Sequence, residues 1–181
     1  MTSRLLSKGR HPTERRVVIN DSSCLIDLWK VQLLQDLLRL PYRFAVALPV
    51  QRSEMLNITR QEWTTLAELG LEIIDLDGGQ VGQAIALLAR YPRLSAEDCF
   101  SLALARSFQD AILLTGDAQL RNISEAIYNI EVHGVLWVID ELSRLNLLPA
   151  GRVVRCLQSW RDDPTVYLPA GSIAARLRRL S

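Results

Sequence analysis

Four acidic residues, Asp21, Glu54, Asp98 and Asp117, have the type and placement to bind a divalent cation. Asp21 follows the apolar run Val17-Val18-Ile19-Asn20, and Asp117 follows Ile112-Leu113-Leu114-Thr115-Gly116. Mg²⁺ and Mn²⁺ take oxygen ligands and keep several waters, so a few carboxylates are enough to hold one. Carboxylates brought that close repel each other unless a cation or a proton intervenes. Taken singly, each acid has an ordinary use. Asp21 and Asp117 suit helix N-caps, Asp98 suits a capping box with Ser95, and Glu54 suits a solvated surface. Glu97, next to Asp98, is a rival for its role. The four acquire a joint meaning only if the fold gathers them, so the elements that carry them decide the matter.

Those elements alternate. Residues 16–20 form a short β-branched run that reads as a buried strand. Leucines and Trp29 at helical spacing predict one helix over 24–39, stopped by Pro41. A second strand is expected at 43–48, a helix at 49–56 opened by Pro49, and another helix at 60–69. A strand at 71–76 leads to a turn at Asp77-Gly78-Gly79 and a helix at 80–90. Ser95 to Asp98 opens a helix to about Phe108. A strand at 111–115 runs through Gly116-Asp117 into a helix ending near Tyr128, and 130–132 reads as a last short strand. Helices at 135–146, 150–161 and 172–180 complete the chain. Strands separated by helical crossovers predict an α/β fold, a mainly parallel sheet covered on both faces. Ligands of such sheets gather beyond the carboxyl ends of the strands, where Asp21 and Asp117 fall. The organisation expected is a basic tail at 1–15, a domain at 16–148 and a helical extension at 149–181.

Charge is unevenly distributed over the 181 residues. The net charge is +1, yet residues 1–16 and 149–181 each carry +4, which leaves −7 on the body between them. An acidic body with basic ends suits a cation site whose flanks meet a polyanion, and solvated basic tails explain the ends equally well. Arginine supplies 19 of the 21 basic residues, and arginine suits bidentate phosphate contacts. Arg52 and Arg121, close in sequence to Glu54 and Asp117, are the candidates to border the site. Cys24, Cys99 and Cys156 are widely spaced and odd in number, fitting neither a disulfide framework nor a CxxC metal site. A reducing, cytoplasmic setting is therefore expected. The basic start has no apolar signal region, and no apolar run reaches the ~18 residues of a membrane span. His11 and His133 lack partners at metal-ligand spacing. Trp29, Trp63, Trp137 and Trp160 fall at apolar helical positions and read as core or interface.

The segments around the acids resemble a known family. VVINDSSCLIDL is similar to the opening of a PIN domain, LPVQRSEML to its second element, and LSAEDCFSLALARSFQDAILLTGDAQLR to its third and fourth. The resemblance covers about residues 16–125. It implies a three-layer α/β/α sandwich and Mg²⁺- or Mn²⁺-dependent endoribonuclease activity, with Asp21, Glu54, Asp98 and Asp117 as catalytic and metal-binding residues. Asp21 and Asp117 would be the direct ligands. Glu54 and Asp98 would hold a second metal or metal-bound waters. Ser22 and Thr115 would orient the ligands, or serve only as cap and strand-end hydrogen bonds. Many members are toxins restrained by a small antitoxin, which makes an antitoxin and a homodimer the expected partners besides RNA. The leucine-rich stretch 25–40 offers more apolar surface than one sheet face can bury, and the excess is expected to face such a partner. Asn122 stands where some members carry a further acid. Two alternatives compete: a PIN fold used for binding with little turnover, and a phosphotransfer or phosphatase α/β domain. The latter expects Asp-x-Asp after the first strand, where this chain has Ser23.

Overall fold

The computed structural model describes residues 15–53 and 58–180. Glu54 and most of the basic N-terminal tail lie outside the described residues. Five strands, β1 (Val17–Asn20), β2 (Arg43–Ala47), β3 (Leu71–Ile74), β4 (Ile112–Leu114) and β5 (Glu131–His133), form one sheet in the order β3-β2-β1-β4-β5. All neighbouring pairs are parallel. The strands are apolar on both faces, with β1, β4 and most of β2 buried throughout. That pattern belongs to a sheet with helices on either side.

The helices are α1 (Ser22–Lys30), α2 (Leu34–Leu37), α3 (Leu48–Ser53), α4 (Arg60–Glu68), α5 (Gly78–Arg90), α6 (Ala96–Arg106), α7 (Ala118–Tyr128), α8 (Val135–Arg144), α9 (Ala150–Asp162) and α10 (Ala170–Leu180). The small-residue helix α6 lies against β1, β2 and β4 and packs on α5, while α1, α2, α8 and α9 pack on one another. The result is a three-layer α/β/α sandwich. The strand order places β1 beside β4, so the chain winds outward from β1 in one direction and from β4 in the other. This boundary is the topological switch point, where the carboxyl ends of the two central strands leave a crevice.

Three local expectations are corrected. The helix expected over 24–39 is two helices. Gln32 adopts a left-handed backbone, φ 57°, and the Leu33 amide closes the first helix by donating to the Leu28 carbonyl. The turn expected at 77–79 is instead a helix start. Asp77 caps α5, and the Gln80 side chain returns to the Asp77 amide. Of the seven leucines of 25–40 only Leu38 is part-exposed, so the apolar excess expected there is small. Leu25, Leu28, Leu33, Leu34, Leu37 and Leu40 are all buried. The reason is the C-terminal helices, which cover that layer.

α9 is bound into the body by more than apolar contact. Trp160 is 1% exposed and donates its indole N–H to the Asp27 carbonyl, 2.9 Å away. Arg152 reaches the Gln32 carbonyl and the buried carboxylate of Asp36, both at 2.8 Å. Arg39 holds the other Asp36 oxygen at 2.9 Å. Segment 149–162 is thus part of the packed body. Trp160→Ala is expected to cost about 3–5 kcal/mol of unfolding free energy in urea titrations, the range for a buried aromatic. A loss under about 1 kcal/mol, within the reach of ordinary surface changes, would show that α9 is an appendage.

Candidate functional site

Asp21 sits one residue beyond β1, and its amide continues the parallel ladder by donating to the Leu114 carbonyl at 2.9 Å. Its side chain is 1% exposed. No lysine or arginine pairs with it among the described residues. Three hydroxyls surround the carboxylate instead. Ser23 and Thr115 donate to Oδ2 at 2.8 and 2.9 Å, and Ser101 approaches Oδ1 at 3.4 Å. The Ser22 amide adds a backbone hydrogen bond.

Two of these hydroxyls also receive bonds from the chain after β4. The Gly116 amide donates to Ser23 Oγ at 2.9 Å, and the Asp117 amide donates to Thr115 Oγ1 at 3.0 Å. Each hydroxyl therefore accepts from the β4–α7 turn and donates to Asp21. Asp117, exposed at the head of α7, is fixed by this pair of relays and caps its helix through Oδ1 to the Leu120 amide, 2.6 Å. Asp98 is half-buried at the first turn of α6. It completes a capping box: its Oδ2 accepts from the Ser95 amide at 2.8 Å, and Ser95 Oγ accepts from the Asp98 amide at 3.0 Å.

Electrostatics tie the three acids together. Burial, followed by the charge of Asp98, raises the Asp21 carboxyl from 3.8 to about 6 against the lowering effect of its hydrogen bonds. Burial also pushes Asp98 up, opposed by the Ser95 bonds, and the charges of Asp117 and Glu97 add to the rise.

A family model described as a PIN domain matches residues 17–181. The chain belongs to the PIN-domain family. The PIN domain is a nuclease-type fold whose members are in general metal-dependent nucleases. A search of curated proteins returned no match.

Within this PIN domain, Asp21, Asp98 and Asp117 share one end of the sheet, and Glu54 lies outside the described residues. Among the described residues no three His, Cys, Asp or Glu side chains are grouped tightly enough to enclose an ion. The donor chemistry nonetheless fits a hard divalent cation: carboxylate oxygens that repel one another, none salt-bridged to a basic side chain among the described residues. Arg121 is tied to the scaffold. It donates to the Val132 carbonyl at 2.9 Å and the Thr115 carbonyl at 3.4 Å, and contacts Glu125 at 3.3 Å. Arg52 is exposed on α3. His133 pairs with Glu131 at 2.7 Å and stacks on Trp137, 4.6 Å between ring centres. Cys24, Cys99 and Cys156 are buried free thiols. No helix among the described residues is long and apolar enough to cross a membrane.

The sequence offers Ser23 as a helix-start hydroxyl without tying it to Asp21, and gives Ser101 no role. Ser23 was legible as the second hydroxyl after Asp21, since residues i and i+2 across a helix start can share a cap. Ser101 gave no signal, because one serine in an apolar helix resembles filler until the strand beneath it is known.

The raised Asp21 pKa fixes a sign. In metal-free protein the folded state retains a proton that the unfolded state releases between pH 3.8 and about 6. This group's contribution to stability therefore falls as pH rises through that window and stays at its lowest above it. Asp21→Asn removes the ionisation. In EDTA, its melting temperature is expected to exceed that of the wild type at about pH 7.5, and the gain should shrink toward about pH 4. A difference that does not change with pH would contradict the assignment.

Proposed function

We propose that the protein is a divalent-metal-dependent endoribonuclease, with Mg²⁺ or Mn²⁺ as its cofactor and an RNA phosphodiester as its substrate. The observation that carries the reading is Asp21. It is a carboxylate withdrawn from water at the switch point, close to two further acids, with hydroxyls but no cationic side chain against it among the described residues. Asp21 and Asp117 would hold the metal directly. Asp98 and Glu54 would hold a second metal or its waters. When bound, the metal supplies an acidified water and stabilises charge on the departing oxygen.

The chain's own contribution is position. Ser23 and Thr115 fix the Asp21 carboxylate by one oxygen and hold the Asp117 turn against it. The N-terminus of α6 favours the ionised form of Asp98. Arg52, exposed on α3, would contact substrate phosphate. Arg121, through its carbonyl contacts, would act more on the shape of the β4–β5 edge than on RNA.

A second reading has one observation in its favour. Asp98 and Asp117 each cap their own helix, so a PIN fold that binds a partner with little turnover also suits them. Cleavage separates the two. Purified protein is expected to cut RNA with Mg²⁺ or Mn²⁺, and Asp21→Asn and Asp117→Asn should each lower the rate by at least about 100-fold, the order seen when a group essential to transition-state charge is removed. Both variants should remain folded. Cleavage that persists in EDTA, or in both variants, would sink the nuclease reading.

We extend the proposal to a toxin role with a small antitoxin protein, which rests on the family resemblance. Expression of the wild type should then arrest growth of a bacterial host, and expression of Asp21→Asn should not. Equal growth in both cultures would remove the toxin role and leave the nuclease intact. A homodimer is tested by light scattering on the purified chain.

A further inference from the structure

Asp21 divides its two oxygens between different elements. Oδ2 is engaged by Ser23 and Thr115, which belong to α1 and to the end of β4. Oδ1 meets Ser101 of α6 at 3.4 Å. Ser101 is fully buried in the middle of that helix, among Cys99, Leu102, Ala103, Leu104 and Ala105, all of them buried. A hydroxyl in such surroundings loses hydration and is retained at low cost only where it has a hydrogen-bond partner. Its position relative to Asp98 is the informative feature. Residues three apart on a helix lie on one face, so Ser101 and Asp98 present a hydroxyl and a carboxylate from the same side of α6. The capping box ties Asp98 to the helix start, and Ser101 is the residue of α6 whose hydroxyl reaches Asp21, over a long 3.4 Å.

We propose that Ser101 is a positioning residue that sets how Asp98 on α6 is placed relative to Asp21, and through that the affinity of the pair for a divalent cation. The inference rests on the metal-dependent reading given above. Without the hydroxyl, the contacts of α6 with β1 among the described residues are apolar. Apolar contacts are non-directional, so they constrain the orientation of a polar group less closely than a hydrogen bond does. Ser101→Ala deletes one oxygen and leaves the packing volume almost intact. Ser101→Thr keeps the hydroxyl.

The test is Mn²⁺ titration of the full chain, read by electron paramagnetic resonance of free Mn²⁺, with RNA cleavage measured in parallel. Ser101→Ala is expected to weaken Mn²⁺ binding on the order of tenfold, the usual effect of losing a group that orients a ligand. The metal concentration for half-maximal cleavage should rise in step, with KM for RNA unchanged. Ser101→Thr should restore wild-type affinity. If thermal unfolding shows that alanine destabilises the chain, Ser101→Cys fills the same space with a poor donor and is expected to lose affinity likewise. Wild-type and alanine proteins that bind Mn²⁺ within twofold of each other would overturn the inference and leave the nuclease reading standing. A wild-type chain that binds no Mn²⁺ would overturn both.

Discussion

Removing a carboxylate from water is costly, and the cost is normally offset by a basic side chain or by neutralisation. At Asp21 the described structure offers three hydroxyls and a backbone amide in place of a cation. Hydrogen bonds to the ionised form offset part of the penalty, but burial and the charge of Asp98 still hold the carboxyl near 6. At neutral pH the carboxylate is thus ionised at a cost that its hydrogen bonds only partly offset, and a bound cation would offset more of it. Much else in the structure follows from keeping that one group in place. β1 must be a central strand for Asp21 to be buried, and β4 must lie beside it for Thr115 to reach the carboxylate.

The same arrangement explains why the β4–α7 turn is so closely fixed. Gly116 and Asp117 direct consecutive amides onto two hydroxyls that both point to Asp21. A backbone shift at the turn would therefore break bonds to the buried acid as well as to the turn. Arg121 secures the outer side of this edge by bridging carbonyls at the ends of β4 and β5. On the opposite layer, Trp160 and the Asp36–Arg152 pair hold α9 against α1 and α2, which steadies the helix beginning one residue after Asp21. Family membership extends over this C-terminal part, since the match continues to residue 181.

The parallel sheet and the positions of three acids were legible in the sequence because they depend on local patterns. Short β-branched runs mark buried strands, and an acid or hydroxyl after such a run marks the following helix start. What was illegible depends on contacts distant along the chain. The leucines of 25–40 predict a single helix with spare apolar surface. The break at Gln32 and the cover provided by α8 and α9 become evident only when the far end of the chain is in place. Asp77 reads as a turn residue because the two glycines after it mask a capping box. Ser22, the hydroxyl nearest Asp21 in sequence, contributes its amide to the carboxylate, while Ser23 contributes a hydroxyl. A helix start rotates successive side chains by about 100°, so adjacency in sequence is a poor guide to which one faces the strand end. Ser101 lies 80 residues from Asp21 and could not be associated with it by any spacing rule.

On the function proposed, the buried, hydroxyl-held Asp21 is one wall of a cation site. Anomalous diffraction from crystals of the wild-type chain soaked in Mn²⁺ tests this most directly. An anomalous peak is expected in contact with Asp21 and shared with at least one further acid of the set, absent from crystals of Asp21→Asn treated identically. Wild-type crystals with no peak at Asp21, or a peak that persists in the asparagine variant, would contradict it.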